Sequence, residues 1–494
     1  MSIIVEFSKT KNTNLLVNAG KQVDDAYNAT SLEMENLLLN HMGGLLGVNE
    51  CEYMEAFLYK SGYMLEPNHN IFIKKLEKLS SNGFSKATVQ LANEYFSSNP
   101  PLAVKYYLKC LNDPSVDQGE INEQIGYLYF LSDMLETGEG YQYLKVAADQ
   151  YNRGFAQFVL ASMYFNGTGV EKDIETSYSY CIKAANNNDE HAEYWLGKDY
   201  IFAEEYPLDQ NVELALKYLN KASEKGHRMA QYILGFIYFD GDYVVKDSSK
   251  AEEFLIQAKY GEIVGAYAYL GQINYERGDY DKAKEYLEIS YGQYHSMLFA
   301  ETLVKIYKNG LGCPADIQKA VALIDDMISN NSSNVEDVEF AANCYYEGKM
   351  VVRDMNKAVR YYKIIENNNP SAKYKLGCIA LDESSSVLSK NDCIWYLEYA
   401  GVNGYPDAFS KLAHYFLSMN NRDRALDYFK RSFNAGNIDD GVMVGRIYEA
   451  GTLSICKNMN EAVNWYKVAA EKGSVKAKKE LTHIKSGLFG YKRI

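Results

Sequence analysis

The stretch RMAQYILGFIYFDGDYVVKDSSKAEEFLIQAKYG, residues 228–261, decides how the chain is read. Ala230, Leu234, Gly235 and Tyr238 are separated by four, one and three residues, which keeps them on one stripe of a helix. A turn ending in Lys246-Asp247 follows, and Ala251, Phe254 and Ala258 mark a second helix by the same kind of spacing. Asp247 lies four residues before Ala251, where its carboxylate can accept from the N–H groups that open that helix. The stretch is an amphipathic helical hairpin. One hairpin cannot bury its own apolar stripe, so copies must stack beside it.

Copies run through most of the chain. The small residue matching Gly235 recurs as Ala92, Gly126, Ala161, Gly197, Gly271, Val304, Ala342, Gly377, Ala413 and Gly445, at intervals of 32 to 38 residues. The second helix carries its own small position: Ala103, Gly140, Ser177, Ala215, Ala251, Ala283, Ala320, Ala358, Cys393, Ala425 and Ala462. Three residues after each stands an aromatic in ten of the eleven cases, from Tyr106 to Trp465, with Leu323 the exception. A chain with 14% aromatic residues does not do this by chance. The small residue lets the second helix come close, and the aromatic is expected to fill the gap between hairpins. Asp173, Asn211, Asp316, Asp354 and Asn458 share the capping position of Asp247. Glycines 154, 226, 261, 404, 436 and 473 are read as left-handed residues closing the second helices.

These residues resemble a known family. The pattern A-x-x-x-L-G-x-x-Y-x-x-G, followed by V-x-K-D-x-x-x-A-x-x-x-x-x-x-A and a closing glycine, is similar to the Sel1-like repeat, a relative of the tetratricopeptide repeat. The fullest copies lie within 155–185, 228–261 and 437–473, while 263–296 and 405–436 have shorter turns nearer the tetratricopeptide form. The regular cysteine pair of the secreted branch is missing. The expected fold is an all-α, right-handed α-solenoid of about eleven to twelve helix-turn-helix repeats, with a helical cap at each end. The array is placed at 86–473, after a degenerate first repeat at 48–85 that keeps Ala56, Tyr59 and Gly62. Residues 1–47 are read as a non-repeat cap with a helix near 31–42, and 474–494 as a capping helix with a solvated basic tail of net charge +5.

Composition narrows the function. A net charge of −14 opposes general affinity for nucleic acid or anionic membrane. No run of eighteen apolar residues suggests a transmembrane helix, and MSIIVEFSKTKN lacks the layout of a secretory signal. The eight cysteines show no CxxC and no regular pairing, as expected of free thiols in a cytoplasmic protein. The seven histidines are scattered, with no H-E-x-x-H or Cys/His ligand spacing, and neither a G-x-S-x-G nor a phosphate loop occurs. Asn166-Gly167-Thr168-Gly169 falls in the turn of a repeat and is read as turn geometry. No enzyme activity, cofactor or metal is expected.

Stacked hairpins instead offer a groove lined by their first helices. Four residues after the aligned small position stand Phe96, Phe130, Phe165, Ile201 and Phe239, and one after it Tyr127 and Phe236. The row either packs between neighbouring first helices or forms a partly exposed grip. On the second reading Tyr127, Phe130, Phe165, Tyr232, Phe236 and Phe239 are the candidate partner-binding residues, since aromatic side chains dominate contact energetics. The resemblance implies a non-catalytic scaffold or adaptor that binds a protein or extended peptide. The alternative is an immunity or inhibitor protein that neutralises a partner toxin or enzyme.

Overall fold

The computed structural model describes residues 47–61, 67–131, 139–203, 209–367, 369–382, 387–487 and 490–493. The N-terminal cap and its helix near 31–42 therefore lie, apart from Gly47, outside the described residues. The chain divides into two compact units, residues 1–263 and 264–494. Among the described residues the first unit holds six hairpins: α1 Val48–Ser61 with α2 His69–Ser81, α3 Ser85–Tyr95 with α4 Pro100–Lys109, α5 Gln118–Leu131 with α6 Glu139–Asp149, α7 Gly154–Asn166 with α8 Ile174–Asn186, α9 Glu190–Phe202 with α10 Val212–Glu224, and α11 Arg228–Asp240 with α12 Ser248–Lys259. The second holds six more: α13 Val264–Arg277 with α14 Tyr280–Tyr294, α15 Ala300–Asn309 with α16 Ile317–Ser329, α17 Val335–Glu347 with α18 Met355–Ile365, α19 Pro370–Leu381 with α20 Asp392–Val402, α21 Pro406–Ser418 with α22 Arg422–Asn434, and α23 Asp440–Ala450 with α24 Met459–Glu471. A single helix, α25 Val475–Thr482, and the strands β1 Ile484–Gly487 and β2 Gly490–Arg493 complete it. The all-α repeat fold read from the sequence is the fold observed. Odd-numbered helices to α23 are called helix A, even-numbered ones to α24 helix B.

Each hairpin is built by the same three devices. The first is the cap. Asp173, Asn211, Asp247, Asp316, Asp354 and Asn458 each accept from the N–H three residues on, at 2.9–3.1 Å. Each such bond stabilises its helix B by about 1 kcal/mol.

The second device is the close A–B approach. A Cβ placed on Gly126, Gly197, Gly235, Gly271 or Gly377 would stand 2.5–2.7 Å from the Cγ of Leu144, Leu219, Leu255, Leu287 or Leu397. The leucine is always four residues after the small position of helix B, so glycine and leucine fill one shared volume. In the hairpin of α7 and α8 the glycine is Ala161 and the leucine's place is taken by the smaller Cys181, both fully buried.

The third device is aromatic, and here the structure corrects the sequence reading. The helix-B ring does not simply fill the space between hairpins. It stacks on the helix-A ring three residues after the small position of its own hairpin. Tyr95–Tyr106, Tyr129–Tyr143, Tyr164–Tyr180, Tyr200–Tyr218 and Tyr238–Phe254 all stack within 11° of parallel, with centroids 6.0–6.3 Å apart. At three positions the hydroxyl also reaches the preceding hairpin, and in the last hairpin the ring itself does, Trp465 meeting Phe433 edge-on at 5.3 Å. Tyr180 donates to Asp149 at 3.2 Å, Tyr361 to Asp325 at 2.9 Å and Tyr428 to Glu398 at 2.6 Å, each acid lying on the previous helix B.

The closing glycines also need one revision. Gly226, Gly404, Gly436 and Gly473 have left-handed φ, whereas Gly154 opens α7 and Gly261 has no positive φ. Asn152 and Glu262 take the left-handed position in those two connections, with φ of 53° and 58°.

At the other end α25 is capped by Ser474, whose Oγ accepts from the Ala477 N–H. The basic tail forms an antiparallel pair, Ile484 opposite Arg493. Arg493 there binds Glu449 at 2.5 Å and Glu480 at 2.8 Å. Two carboxylates converging on one guanidinium give this segment a fixed place that its charge and spacing alone do not suggest.

Candidate functional site: the helix-A face of the first unit

The core stripe of helix A uses the aligned small position, the residues five and one before it and the residue three after it. The opposite stripe comprises the positions six and three residues before the small residue and one and four after it. In α7 these are Phe155, Phe158, Ser162 and Phe165, and in α9 His191, Tyr194, Lys198 and Ile201. Phe155, Phe158, Phe165, His191 and Tyr194 are all half-buried. The rings touch from one helix A to the next. Phe96 stacks on Tyr127 at 6.1 Å, and Tyr127 meets Phe155 edge-on at 4.8 Å. Phe158 lies 5.5 Å from His191 and 5.7 Å from Trp195, and Trp195 meets Phe165 at 5.6 Å. His191 in turn meets His227 edge to face at 5.3 Å. A continuous aromatic row thus crosses five hairpins, from α3 to α11.

The six residues named from the sequence occupy different parts of this row. Tyr127 and Phe130 stack on each other at 6.4 Å, and Phe165 joins through Trp195. Phe236 lies against Phe202 at 6.3 Å. Tyr232 is half-buried, and burial pushes its hydroxyl pKa up. Phe239 is only 8% exposed, with the Lys246 ammonium 4.6 Å above its ring. Lys172 covers Phe165 in the same way at 5.4 Å. The lysine of the V-x-K-D motif is thus a lid on the phenylalanine of its own hairpin, a cation–π contact.

Phe155, Phe158, His191, Tyr194 and Trp195 were missed by the sequence reading, which took the row mainly forward from the small residue, with Tyr232 alone from behind it. For the first four the signal was available, since stepping back three and six residues stays on the same helical face, whereas Trp195, two residues before Gly197, lies off that series.

Burial raises the thiol pKa of Cys110, Cys344 and Cys378, and pushes that of Cys393 up to about 11, so these cysteines stay protonated near neutrality. Among the described residues no group of three His, Cys, Asp or Glu side chains is arranged to hold a metal ion. No described helix is long and apolar enough to cross a membrane.

The Sel1 repeat model matches residues 154–189, 190–227, 228–262, 257–295, 305–324, 340–365, 413–437 and 442–474. This chain belongs to the Sel1 repeat family. The continuous block of Sel1 matches, 154–295, begins at α7 in the middle of the aromatic row. The chitin synthase regulator SKT5 of Saccharomyces cerevisiae is 24% identical over 176 residues, 33% of this chain and 25% of its own length. The alginate biosynthesis protein AlgK of Pseudomonas syringae pv. tomato is 39% identical over 74 residues, 15% of each chain. The match thus spans a quarter or less of these curated relatives. A solved structure, a protective antigen present in uropathogenic Escherichia coli strains and displaying an SLR fold, aligns over 92% of both chains with 17% identity and a TM-score of 0.43.

Proposed function

We propose that this Sel1-repeat protein is a non-catalytic scaffold that holds a partner protein, or an extended segment of one, on the helix-A face of its first unit. The observation that carries the reading is the half-exposed aromatic row, in which Phe158 and Trp195 stand at the centre. Rings in this state keep area to lose on binding, and they are already held in place by their neighbours, so little side-chain freedom is lost. Membership of a repeat family whose hairpins display extended surface supports the same reading. The eight free cysteines support placing the protein in a reducing compartment, the cytoplasm.

The test is capture of a partner by the full chain, followed by affinity measurement with Phe158→Ala and Trp195→Ala. Each substitution is expected to weaken binding by roughly tenfold or more, the scale of an interface hot spot, while the chain still melts cooperatively. Unchanged affinity in both variants would place the grip elsewhere. A partner that is a toxin or enzyme, and loses its activity in the complex, would make the scaffold an inhibitor working through the same face.

A further inference from the structure

The histidine pair in the row does something a purely apolar contact would not. His227 is the residue just before α11, and its Nδ1 accepts from the Ala230 N–H at 3.2 Å. The same post before other A helices belongs to Asp189 in α9, Asn334 in α17 and Asn369 in α19, each accepting through an oxygen. An imidazole serves as this acceptor only while Nδ1 is unprotonated, so the bonded tautomer carries its proton on Nε2.

The surroundings favour that neutral ring. Tyr194 of α9 stacks on His227 at 4.5 Å, and His191 of α9 abuts its edge. His191 is itself pressed against Phe155 and Phe158 of α7. Charging both imidazoles would set two cations about 5 Å apart between aromatic walls, at a cost that grows with burial.

The acids nearby belong mostly to α9. Glu190 approaches His191 at 4.0 Å, and Asp189 is engaged in capping α9. Lys225, two residues before His227, is bound to the fully buried Glu193 at 2.5 Å. Arg228 turns to Gln231 and the Gln257 carbonyl.

We infer that the joint between the hairpins α9–α10 and α11–α12 is a proton-sensitive hinge, locked at neutral pH by the His227 cap and released when His227 takes up a proton.

Burial, with His191 second, lowers the His227 pKa from its ordinary 6.5. The unfolded chain therefore binds the proton more readily, and the stabilisation is complete above about 6.5 and lost as pH falls through the lower folded value. Because the hinge lies within the aromatic row, the grip proposed above would loosen with it. The inference itself needs no partner.

The experiment is amide hydrogen exchange on the full chain, followed at Ala230 and corrected for the intrinsic effect of pH. Between about pH 7.5 and about pH 5.5 the wild-type amide is expected to lose protection by roughly fivefold, the scale of one lost cap. His227→Asn keeps an acceptor that does not titrate and should erase the loss. His227→Asp serves the same purpose if the asparagine variant folds poorly. A wild-type chain with no acid loss at Ala230, or a capped variant with the wild-type loss, overturns the inference. Failure of partner capture alone leaves it standing.

Discussion

At the scale of single residues, Gly235 shows how tightly composition and geometry are tied. Its missing side chain is the space that Leu255 occupies. Gly235→Ala would set a methyl 2.5 Å from the Leu255 Cγ and 3.3 Å from the Ala251 carbonyl oxygen, so the two helices must part. A loss of about 1–3 kcal/mol in denaturant stability is expected. The double variant Gly235→Ala/Leu255→Cys copies the Ala161–Cys181 pairing of the α7–α8 hairpin and should recover part of it. If Gly235→Ala alone is neutral, the shared-volume account fails. This relation was legible in the sequence from the recurrence of the small residue. So were the six B-helix caps, because a side-chain oxygen four residues before the small position has one obvious use. Gly154 and Gly261 were not legible. Asparagine also adopts left-handed φ, and Asn152 did so two residues before the glycine that seemed to mark the turn.

Helices and hairpins raise a different question, which is how one repeat is fixed to the next. The stacked rings belong to the inside of a hairpin, while the tyrosine hydroxyl belongs to the joint. Spacing along the chain gave the phase of these rings but not their neighbour, since a ring at one position can lean toward its own hairpin or away from it. Phe254 stacks on Tyr238 as well as any tyrosine does, so the hydroxyl is not needed for stacking. Tyr428→Phe should therefore leave its ring on Phe416, where the pair is within 2° of parallel. The expected change is a loss of about 1 kcal/mol from the missing bond to the Glu398 carboxylate, reduced by the exposure of that acid. Amide exchange should quicken between α20 and α22 and stay unchanged within the α21–α22 hairpin. Uniform quickening of both would show that the hydroxyl acts through the hairpin itself.

For the molecule as a whole, the net charge of −14 acts on encounter more than on holding. If the partner offers a basic surface, its association rate should fall by roughly tenfold or more as salt rises from low ionic strength, because screening shortens the reach of the field to about 8 Å at physiological salt. On the proposed grip, where the aromatic row would set the dissociation rate, that rate should change little. A flat association rate would mean that the acidic charge plays no part in recognition. The all-α repeat fold was legible, because a period of 32 to 38 residues leaves few alternatives to stacked hairpins, while the strand pair of the tail was not. The candidate face was half legible: the forward part of the row followed from the alignment, whereas the backward part is carried by α7 and α9 and has few counterparts in other hairpins.

Trp195 gives the row a voice of its own. The chain has three tryptophans, and of these only Trp195 belongs to the first unit, with Trp395 and Trp465 in the second. Replacing the latter two with phenylalanine would leave a single indole emitter, in edge contact with Phe158 and Phe165. Its fluorescence would then report both the seating of a partner and the acid release of the hinge in real time, without an attached dye.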